Sequence, residues 1–347
     1  MKVLKANKPG NLSLNDIPEP SNPSAGEVIV KIFYCGLCHT DFVVLKGVHS
    51  RGKFPFVLGH EFSGIVEQCG PEVFHIKPGD RVTALAYAYC GICSACRRGM
   101  HNACINSKNI PFDIDGSFQE KIITPSIMYY KIPDSLSLEE AALTEPAANG
   151  YAVVERADIY PGENVVIIGP GPIGLLSLQF ALLSQPDKII VTGTRPERLE
   201  MASRMGATHI ININKENSYN TIMEITNGHG ADVVLFCGGG LEAWNMAESI
   251  LTHYGRIVVE AIPEKSDVRW PVSISKFSEK SISFLGISGY NGAHFEKALN
   301  LISTGKIRVK PLITHKFTIN DYKEAFKTSD RRKNGAIKVL IEINKEE

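Results

Sequence analysis

The segment Asn164–Gly174, which reads Asn-Val-Val-Ile-Ile-Gly-Pro-Gly-Pro-Ile-Gly, decides the fold of this chain. Residues 165–168 are a continuous apolar run, which is expected of a strand buried on both faces. A G-x-G-x-x-G turn follows and opens a helix predicted over 173–183. This order of strand, turn and helix predicts a dinucleotide site, because the glycines let the backbone approach a pyrophosphate at the helix N-terminus. The predicted cofactor contacts here are Gly169, Gly171, Pro172, Ile173 and Gly174.

Strand and helix patterns alternate downstream of this turn. A helix is predicted over 198–205, and the predicted strands cover 188–192, 209–213, 232–237, 255–261 and 281–286. This alternation predicts a doubly wound parallel sheet, the Rossmann arrangement, which we assign to residues 152–296.

The end of the second predicted strand bears on the choice of nicotinamide. Sites for NAD usually place Asp or Glu here to hold the ribose hydroxyls. This chain instead reads Gly193-Thr194-Arg195. Thr194 can donate a hydrogen bond to a 2′-phosphate and Arg195 can pair with it. The sequence therefore favours NADP(H), with NAD(H) left open; Arg198 is either a further contact or a surface residue.

The first part of the chain has a different character. Turn signals are dense over residues 1–150, and strands are predicted over 28–32 and 62–69. These features predict a β-rich domain, a partly open barrel, over 1–151. The tail 297–347 is expected to return to this domain.

Four cysteines are concentrated in one loop with the spacing C-x2-C-x2-C-x7-C. They are Cys90, Cys93, Cys96 and Cys104. Four thiolates so close can enclose one tetrahedral zinc ion and leave no open coordination position. We therefore predict a structural zinc lobe over about 86–108. An iron–sulfur cluster and disulfides are the alternative uses of such cysteines.

A second set of metal-ligand types is spread along the chain. Cys38 lies in Gly-Leu-Cys-His-Thr-Asp at 36–41, and His60 and Glu61 end the motif Leu-Gly-His-Glu. Thiol, imidazole and carboxylate are the groups that zinc accepts. Asp41 is a candidate hydrogen-bond partner of the imidazole, and Glu145 in Leu-Thr-Glu-Pro offers another carboxylate.

Together, these motifs resemble those of the zinc-dependent medium-chain alcohol and polyol dehydrogenases, over essentially all 347 residues. The resemblance implies a GroES-like catalytic domain, a Rossmann cofactor domain and two zinc ions. It places Cys38, His60 and Glu61 at the catalytic ligand positions. It places Glu145 where ethanol-type enzymes carry a cysteine ligand; an acid there is frequent in the sorbitol, threonine and sugar-phosphate branch. Whether Glu61 and Glu145 bind zinc directly or through water stays open.

The resemblance also implies the reaction, reversible oxidation of a secondary alcohol of a polyol, sugar or sugar phosphate to a ketone. Thr40 would be the first hydroxyl of a proton relay, and zinc-bound water held by Glu145 is the competing relay. His39 would lie near the cofactor phosphates. A threonine 3-dehydrogenase-like activity on an amino alcohol is the nearest alternative. A non-catalytic, nucleotide-binding redox sensor is the alternative from another class.

Composition and charge limit the partners. The formal net charge is zero, so no global field favours nucleic acid or an anionic membrane. We find neither an apolar leader within residues 1–25 nor a run of apolar residues long enough to span a bilayer. We expect a cytoplasmic enzyme, and by resemblance a homodimer or homotetramer that assembles through the predicted strand 281–286.

Overall fold

A computed structural model describes residues 1–260 and 268–346, and these divide into two compact units. The first contains Met1–Ala148 and residues 291–346. The second contains residues 149–260 and 268–290. Ala261, the last residue of the strand predicted over 255–261, lies outside the described residues.

The first unit is built mainly from short strands. Its strands are β1 (Lys2–Lys8), β2 (Asn11–Asp16), β3 (Glu27–Gly36), β4 (Phe56–Val57), β5 (Glu61–Cys69), β6 (Arg81–Ala84), β7 (Tyr87–Ala88), β8 (Lys108–Asn109), β9 (Lys121–Pro125) and β10 (Tyr129–Lys131). Its helices up to the unit boundary are α1 (His39–Leu45), α2 (Ser94–Arg97), α3 (Leu138–Ala141) and the start of α4 (Thr144–Ala157). The prediction of a β-rich first domain is confirmed by these elements.

The second unit alternates strands and helices. Its strands are β11 (Asn164–Ile168), β12 (Lys188–Gly193), β13 (His209–Asn212), β14 (Ala231–Phe236), β15 (Leu251–Val259) and β16 (Ser283–Gly286). Its helices after α4 are α5 (Pro172–Leu182), α6 (Pro196–Arg204), α7 (Ser218–Ile225), α8 (Leu241–Ile250) and α9 (Ile274–Lys280). The chain then re-enters the first unit as α10 (Gly292–Ser303), β17 (Ile313–Thr318), α11 (Tyr322–Arg331) and β18 (Lys338–Glu342).

The second unit is a doubly wound parallel sheet, as the sequence predicts. The strand order is β13-β12-β11-β14-β15-β16, and every pairing within it is parallel. All five residues of β11 are buried, because helices cover both faces of such a sheet. The glycine turn follows β11, which lies beside the point where the strand order reverses, the usual position of a nucleotide site.

The main sheet of the first unit has the order β10-β6-β5-β3-β18-β17, with β9 also paired to β3. The antiparallel pairing of β18 with β3 joins the end of the chain to its beginning. The core of this unit collects apolar residues from both ends of the sequence, from Val3 to Ile343. This pairing matters for the site, because β3, β5 and β18 lie side by side in the sheet.

Candidate metal centre and nucleotide site

The helix α1 and the segment before β5 are joined through one buried carboxylate. Cys38 is the N-cap residue of α1. Asp41 is fully buried; its Oδ2 accepts the backbone N–H of Cys38 at 2.9 Å and its Oδ1 accepts that of Gly59 at 3.0 Å. Burial raises the pKa of Asp41, although His60 and these two donors oppose the shift. These two hydrogen bonds place Cys38, at the start of α1, next to the histidine that follows Gly59.

Three of the predicted ligands converge in the first unit. The ligand atoms of Cys38, His60 and Glu61 all lie within 4.8 Å of one another. Nδ1 of His60 is buried and has no hydrogen-bond partner among the described residues. It lies 3.8 Å from Oδ1 of Asp41, beyond hydrogen-bond range, because Asp41 is already bound to two backbone donors. The hydrogen bond from the imidazole to Asp41 that the sequence predicts is therefore not formed in this geometry.

Glu61 reaches across a neighbouring strand to a lysine. Gly36 of β3 pairs with Glu61 of β5 on one side and with Leu340 of β18 on the other. Lys338, two residues before Leu340, lies on the same face of β18. Its Nζ donates to Oε1 and Oε2 of Glu61 at 2.8 and 2.6 Å. Both side chains are almost fully buried, with 3% and 1% of their surface exposed.

Glu145 lies apart from this convergence. It is buried in the first turn of α4, and it is not among the residues whose ligand atoms lie within 4.8 Å of one another. Its charge nevertheless contributes to raising the pKa of both His60 and Lys338. Glu145 is therefore a buried acid near the centre. The structure shows three close donors where the sequence predicts four ligands.

The donor set fits a divalent cation. Sulfur, nitrogen and carboxylate oxygen are the zinc ligands. Burial opposes a charge on His60, yet Cys38, Asp41 and Glu145 together raise the pKa of its imidazole well above the ordinary value. Acidic groups therefore surround the imidazole, and a positive ion among them would be stabilised. This set of acidic groups and the mutual closeness of a thiol, an imidazole and a carboxylate are the two observations that favour a metal.

The two other residues predicted in this region lie on α1. Oγ1 of Thr40 lies 3.7 Å from Sγ of Cys38, so the hydroxyl is next to a predicted metal ligand. His39, the first residue of the helix, is exposed.

The four clustered cysteines form a second candidate metal centre. Their Sγ atoms all lie within 4.8 Å of one another, and none of the eight cysteines, all within the described residues, is in a disulfide. Sγ of Cys90 and Sγ of Cys104 are 3.5 Å apart, far beyond a covalent sulfur–sulfur bond. Backbone N–H groups of Ile92 and Cys93 lower the pKa of Cys90 to about 6, whereas burial raises that of Cys96 to about 12. Four mutually close thiols cannot all ionise without a cation, so this geometry also fits a metal.

The backbone of the glycine turn in the second unit has a conformation and close contacts that require glycine. Gly169 has φ +95, a conformation that side chains rarely adopt. A Cβ on Gly174 would lie 2.1 Å from the carbonyl oxygen of Gly169, so α5 packs closely against the turn only because this residue is glycine. At Gly171, the N-cap of α5, such a Cβ would have only the guanidinium of Arg198 within 4 Å among the described residues beyond its chain neighbours. The backbone is thus open where a pyrophosphate would bind.

The side chains after β12 differ in exposure. Thr194 is exposed and Arg195, the N-cap of α6, is partly exposed. Arg198 is buried, and its Nη1 lies 3.9 Å from the Cβ position of Gly171. The sequence does not decide whether Arg198 contacts the cofactor or is a surface residue. Its burial in the structure argues against a surface residue. Arg198 follows Arg195 by three residues, and residues with this spacing are neighbours on one face of a helix. This spacing is the sequence signal that would have grouped Arg198 with Arg195.

Comparison with known proteins agrees with both units. The profile of the alcohol dehydrogenase GroES-like domain matches residues 24–134, and that of the zinc-binding dehydrogenase family matches residues 172–304. A sorbitol dehydrogenase of Halalkalibacterium halodurans is 33% identical, with 96% of each chain covered. An L-threonine 3-dehydrogenase of Pyrococcus horikoshii is 32% identical, with 98% of this chain and 99% of the relative covered.

Solved structures of dehydrogenases are also similar to this chain over nearly its whole length. A zinc-binding dehydrogenase of Sinorhizobium meliloti bound to NADP has TM-score 0.91 and 27% identity, with 99% of each chain covered. An alcohol dehydrogenase of Escherichia coli CFT073 complexed with NADH has TM-score 0.91 and 28% identity, also with 99% of each chain covered. The chain belongs to the zinc-dependent medium-chain dehydrogenase/reductase family, with a GroES-like unit and a Rossmann unit. It is an oxidoreductase, a zinc-dependent alcohol dehydrogenase in the broad sense that works with NAD or NADP.

Proposed function

We propose that this enzyme reversibly oxidises a secondary alcohol of a polyol, sugar or sugar phosphate to the ketone. The observation that carries the proposal is the convergence of Cys38, His60 and Glu61 within 4.8 Å in a chain that also has the glycine turn. An acid at position 145, in place of the cysteine ligand of ethanol-type enzymes, favours a polyol. The similarity to a sorbitol dehydrogenase over 96% of the chain supports the same class.

Cys38 and His60 hold the catalytic zinc in this proposal, and Glu61 and Glu145 are carboxylates that can join the ligand set directly or through water. When bound, zinc acts as a Lewis acid on the substrate oxygen and the nicotinamide carries the hydride. Asp41 fixes the positions of Cys38 and the segment leading to His60 through its two backbone hydrogen bonds. The four cysteines 90, 93, 96 and 104 hold a second zinc that stabilises their lobe.

The alcohol proton leaves through Thr40. Its hydroxyl lies 3.7 Å from Sγ of Cys38, so it is within reach of a group bound at the metal centre. A hydroxyl can accept one proton while donating another, as a relay requires. His39, exposed at the start of α1, is proposed to contact the cofactor phosphates.

NADP(H) is the proposed cofactor. Neither Gly193 at the end of β12 nor Thr194 after it carries a carboxylate that would repel a 2′-phosphate, and Thr194 and Arg195 offer a donor and a cation. The glycine turn at 169–174 receives the pyrophosphate at the N-terminus of α5. Residues Pro172 and Ile173 form the first turn of that helix. The NADP bound to a relative of the same fold supports the choice, and the NADH bound to another keeps NAD(H) as the alternative.

A threonine-type dehydrogenase is the second candidate function. The similarity to an L-threonine 3-dehydrogenase covers 98% of the chain, and threonine also carries a secondary alcohol. The two candidates differ in the charged amino and carboxyl groups of the substrate. A substrate screen therefore separates them.

We further propose a homo-oligomer in the cytoplasm. The strand β16 is at the edge of its sheet, and Phe284 on it is 52% exposed. Pairing of this edge with that of a second copy, in a dimer or tetramer, would cover it.

The state of the cysteines supports the cytoplasm as the compartment in this proposal. Eight cysteines outside disulfides are typical of a reducing compartment. No helix in the described part of the chain is long and apolar enough to cross a membrane.

The test is a screen of polyols, sugar phosphates and amino alcohols with NADP+ and NAD+, in which the absorbance of reduced nicotinamide is followed. We expect turnover of a polyol or sugar phosphate, and loss of turnover in Cys38→Ser. Cys69→Ser, a cysteine outside both clusters, is the matched control and should stay active. Quenching of Trp244 and Trp270 fluorescence on cofactor addition should persist in Cys38→Ser. Full activity of Cys38→Ser without metal would contradict the proposal.

A further inference from the structure

Lys338 is a buried charge that the proposed reaction does not use. Its Nζ donates to both oxygens of Glu61 and to the carbonyl oxygen of Leu37 at 3.1 Å, so all three of its hydrogen-bonding protons have an acceptor. A lysine with 3% of its side chain exposed is rare, because taking an ammonium out of water costs several kcal/mol unless it is paired. Glu61 is the charged partner that balances this ammonium.

The backbone between the two residues is shaped for this contact. Gly36 lies on β3, where it pairs with Glu61 of β5 and with Leu340 of β18, two residues after Lys338. A Cβ on Gly36 would lie 2.2 Å from Oε2 of Glu61, so any other residue at this position would displace the carboxylate. The side chain of Glu61 thus crosses β3 through the space that glycine leaves.

The carboxylate of Glu61 has two competing partners. One of its oxygens lies within 4.8 Å of the ligand atoms of Cys38 and His60, where a metal would be held. Both oxygens are also bound by Lys338. The ammonium shares the negative charge of Glu61 and restricts its movement toward Cys38.

We propose that Lys338 is a positioning residue of the metal centre. It holds Glu61 against β18, so that this carboxylate does not permanently occupy the coordination position that the substrate oxygen needs. The inference rests on the proposed function, because it assumes that Cys38 and His60 hold a metal ion there.

Removal of the ammonium has a defined consequence. In Lys338→Met, Glu61 becomes an uncompensated buried charge, and the metal is the nearest cation that can pair with it. Glu61 then becomes a permanent ligand. The metal gains a ligand and is held more tightly, and the position for substrate is blocked. Lys338→Arg keeps the charge and should preserve the original state.

The experiment uses the full-length protein loaded with Co2+, whose visible absorption reports coordination number. Subtraction of the spectrum of Cys38→Ser removes the contribution of the four-cysteine site. In Lys338→Met we expect weaker visible bands, as for a higher coordination number, and about 10-fold slower release of zinc to a chelator. We also expect a fall in kcat with an unchanged KM for the nucleotide. Lys338→Arg should keep the visible bands, the zinc release rate and kcat at their wild-type values.

The double variant Lys338→Met/Glu61→Gln keeps the proposal falsifiable if the single variant folds poorly. It removes both members of the Lys338–Glu61 pair, so neither charge is left without its partner, and it should recover the wild-type spectrum and release rate. A wild-type spectrum in Lys338→Met would overturn the proposal, as would a double variant that retains the weakened bands. These spectra do not depend on turnover, so they remain informative if no alcohol in the screen is oxidised.

Discussion

The carboxylate of Asp41 accepts the backbone N–H of Gly59 at 3.0 Å, across 18 residues of sequence. The same carboxylate binds the N–H of Cys38 at 2.9 Å. One fully buried side chain therefore sets the distance between the two segments that carry the sulfur and the imidazole. Because it is bound to the backbone on both sides, Asp41 organises the metal centre without being a member of it.

Replacement of Asp41 by Asn should destabilise the first unit and weaken metal binding. The amide oxygen of Asn can accept one of the two hydrogen bonds from the backbone N–H groups, but the amide nitrogen cannot accept the other. One buried N–H is then left unsatisfied, at a cost of about 1–3 kcal/mol. We expect zinc affinity to fall by about 10-fold or more.

Chemical denaturation and zinc titration against a chelator measure the two effects of Asp41→Asn. Asp330→Asn is the control, since that carboxylate is 48% exposed and pairs only loosely, at 3.8 Å, with Lys46. Unchanged zinc affinity in Asp41→Asn would show that the double hydrogen bond does not position the ligands.

Loss of one clustered cysteine should remove a metal ion without removing the catalytic one. In Cys96→Ser we expect the zinc content to fall from two ions to one per chain, which matches the two clusters. The lobe loses the folding free energy that the metal supplies and should become a site of proteolytic cleavage. Metal analysis and limited proteolysis measure this. Retention of two ions would contradict the assignment of Cys96 as a required metal ligand, and Cys237→Ser is the control.

Sequence alone predicts the parts of the site that depend on local spacing. The four cysteines fall in one loop, and the glycine turn follows its strand directly, so each is recognisable from adjacent residues. Lys338 is not, because it is separated from Glu61 by 277 residues, and only the pairing of β18 with β3 brings them together. A lone lysine near the end of a chain is normally assigned to the surface.

Helix boundaries explain the uncertain assignment of Arg198. The sequence predicts a helix over 198–205, whereas α6 begins at Pro196. Arg198 is therefore already inside the first turn, where it is buried beside Gly171. Proline is favoured in the first turn of a helix, so Pro196 is the signal that gives the correct start.

Replacement of Gly174 by Ala should weaken nucleotide binding and leave the metal centre intact. The new Cβ would meet the carbonyl oxygen of Gly169 at 2.1 Å, so the turn and α5 must separate. The N–H groups that face the pyrophosphate are then displaced, and we expect the Kd for NADP+ to rise by about 10-fold or more. Gly240→Ala is the control, because a Cβ there meets nothing within 4 Å in the part of the chain that the structure describes. Tryptophan fluorescence measures binding; an unchanged Kd would refute the assignment of the turn.

Reversal of cofactor preference should require changes at Thr194 and Arg195 and not at Gly193. A Cβ on Gly193 would lie 2.7 Å from the ring of Pro170, so an acid at this position would disturb the glycine turn. Thr194 is exposed and can accept a carboxylate without steric conflict. In Thr194→Asp/Arg195→Ala the new charge repels a 2′-phosphate and can hold ribose hydroxyls instead.

We expect this double variant to lower the ratio of kcat/KM for NADP+ to that for NAD+ by about 100-fold, which corresponds to about 3 kcal/mol. Arg204→Ala is the control, because Arg204 lies on the same helix, is 67% exposed and pairs with Glu200. If the ratio changes equally in both variants, the effect comes from net charge alone. If the ratio does not change in the double variant, the buried Arg198 becomes the residue that selects the cofactor, because it is the remaining cation beside Gly171.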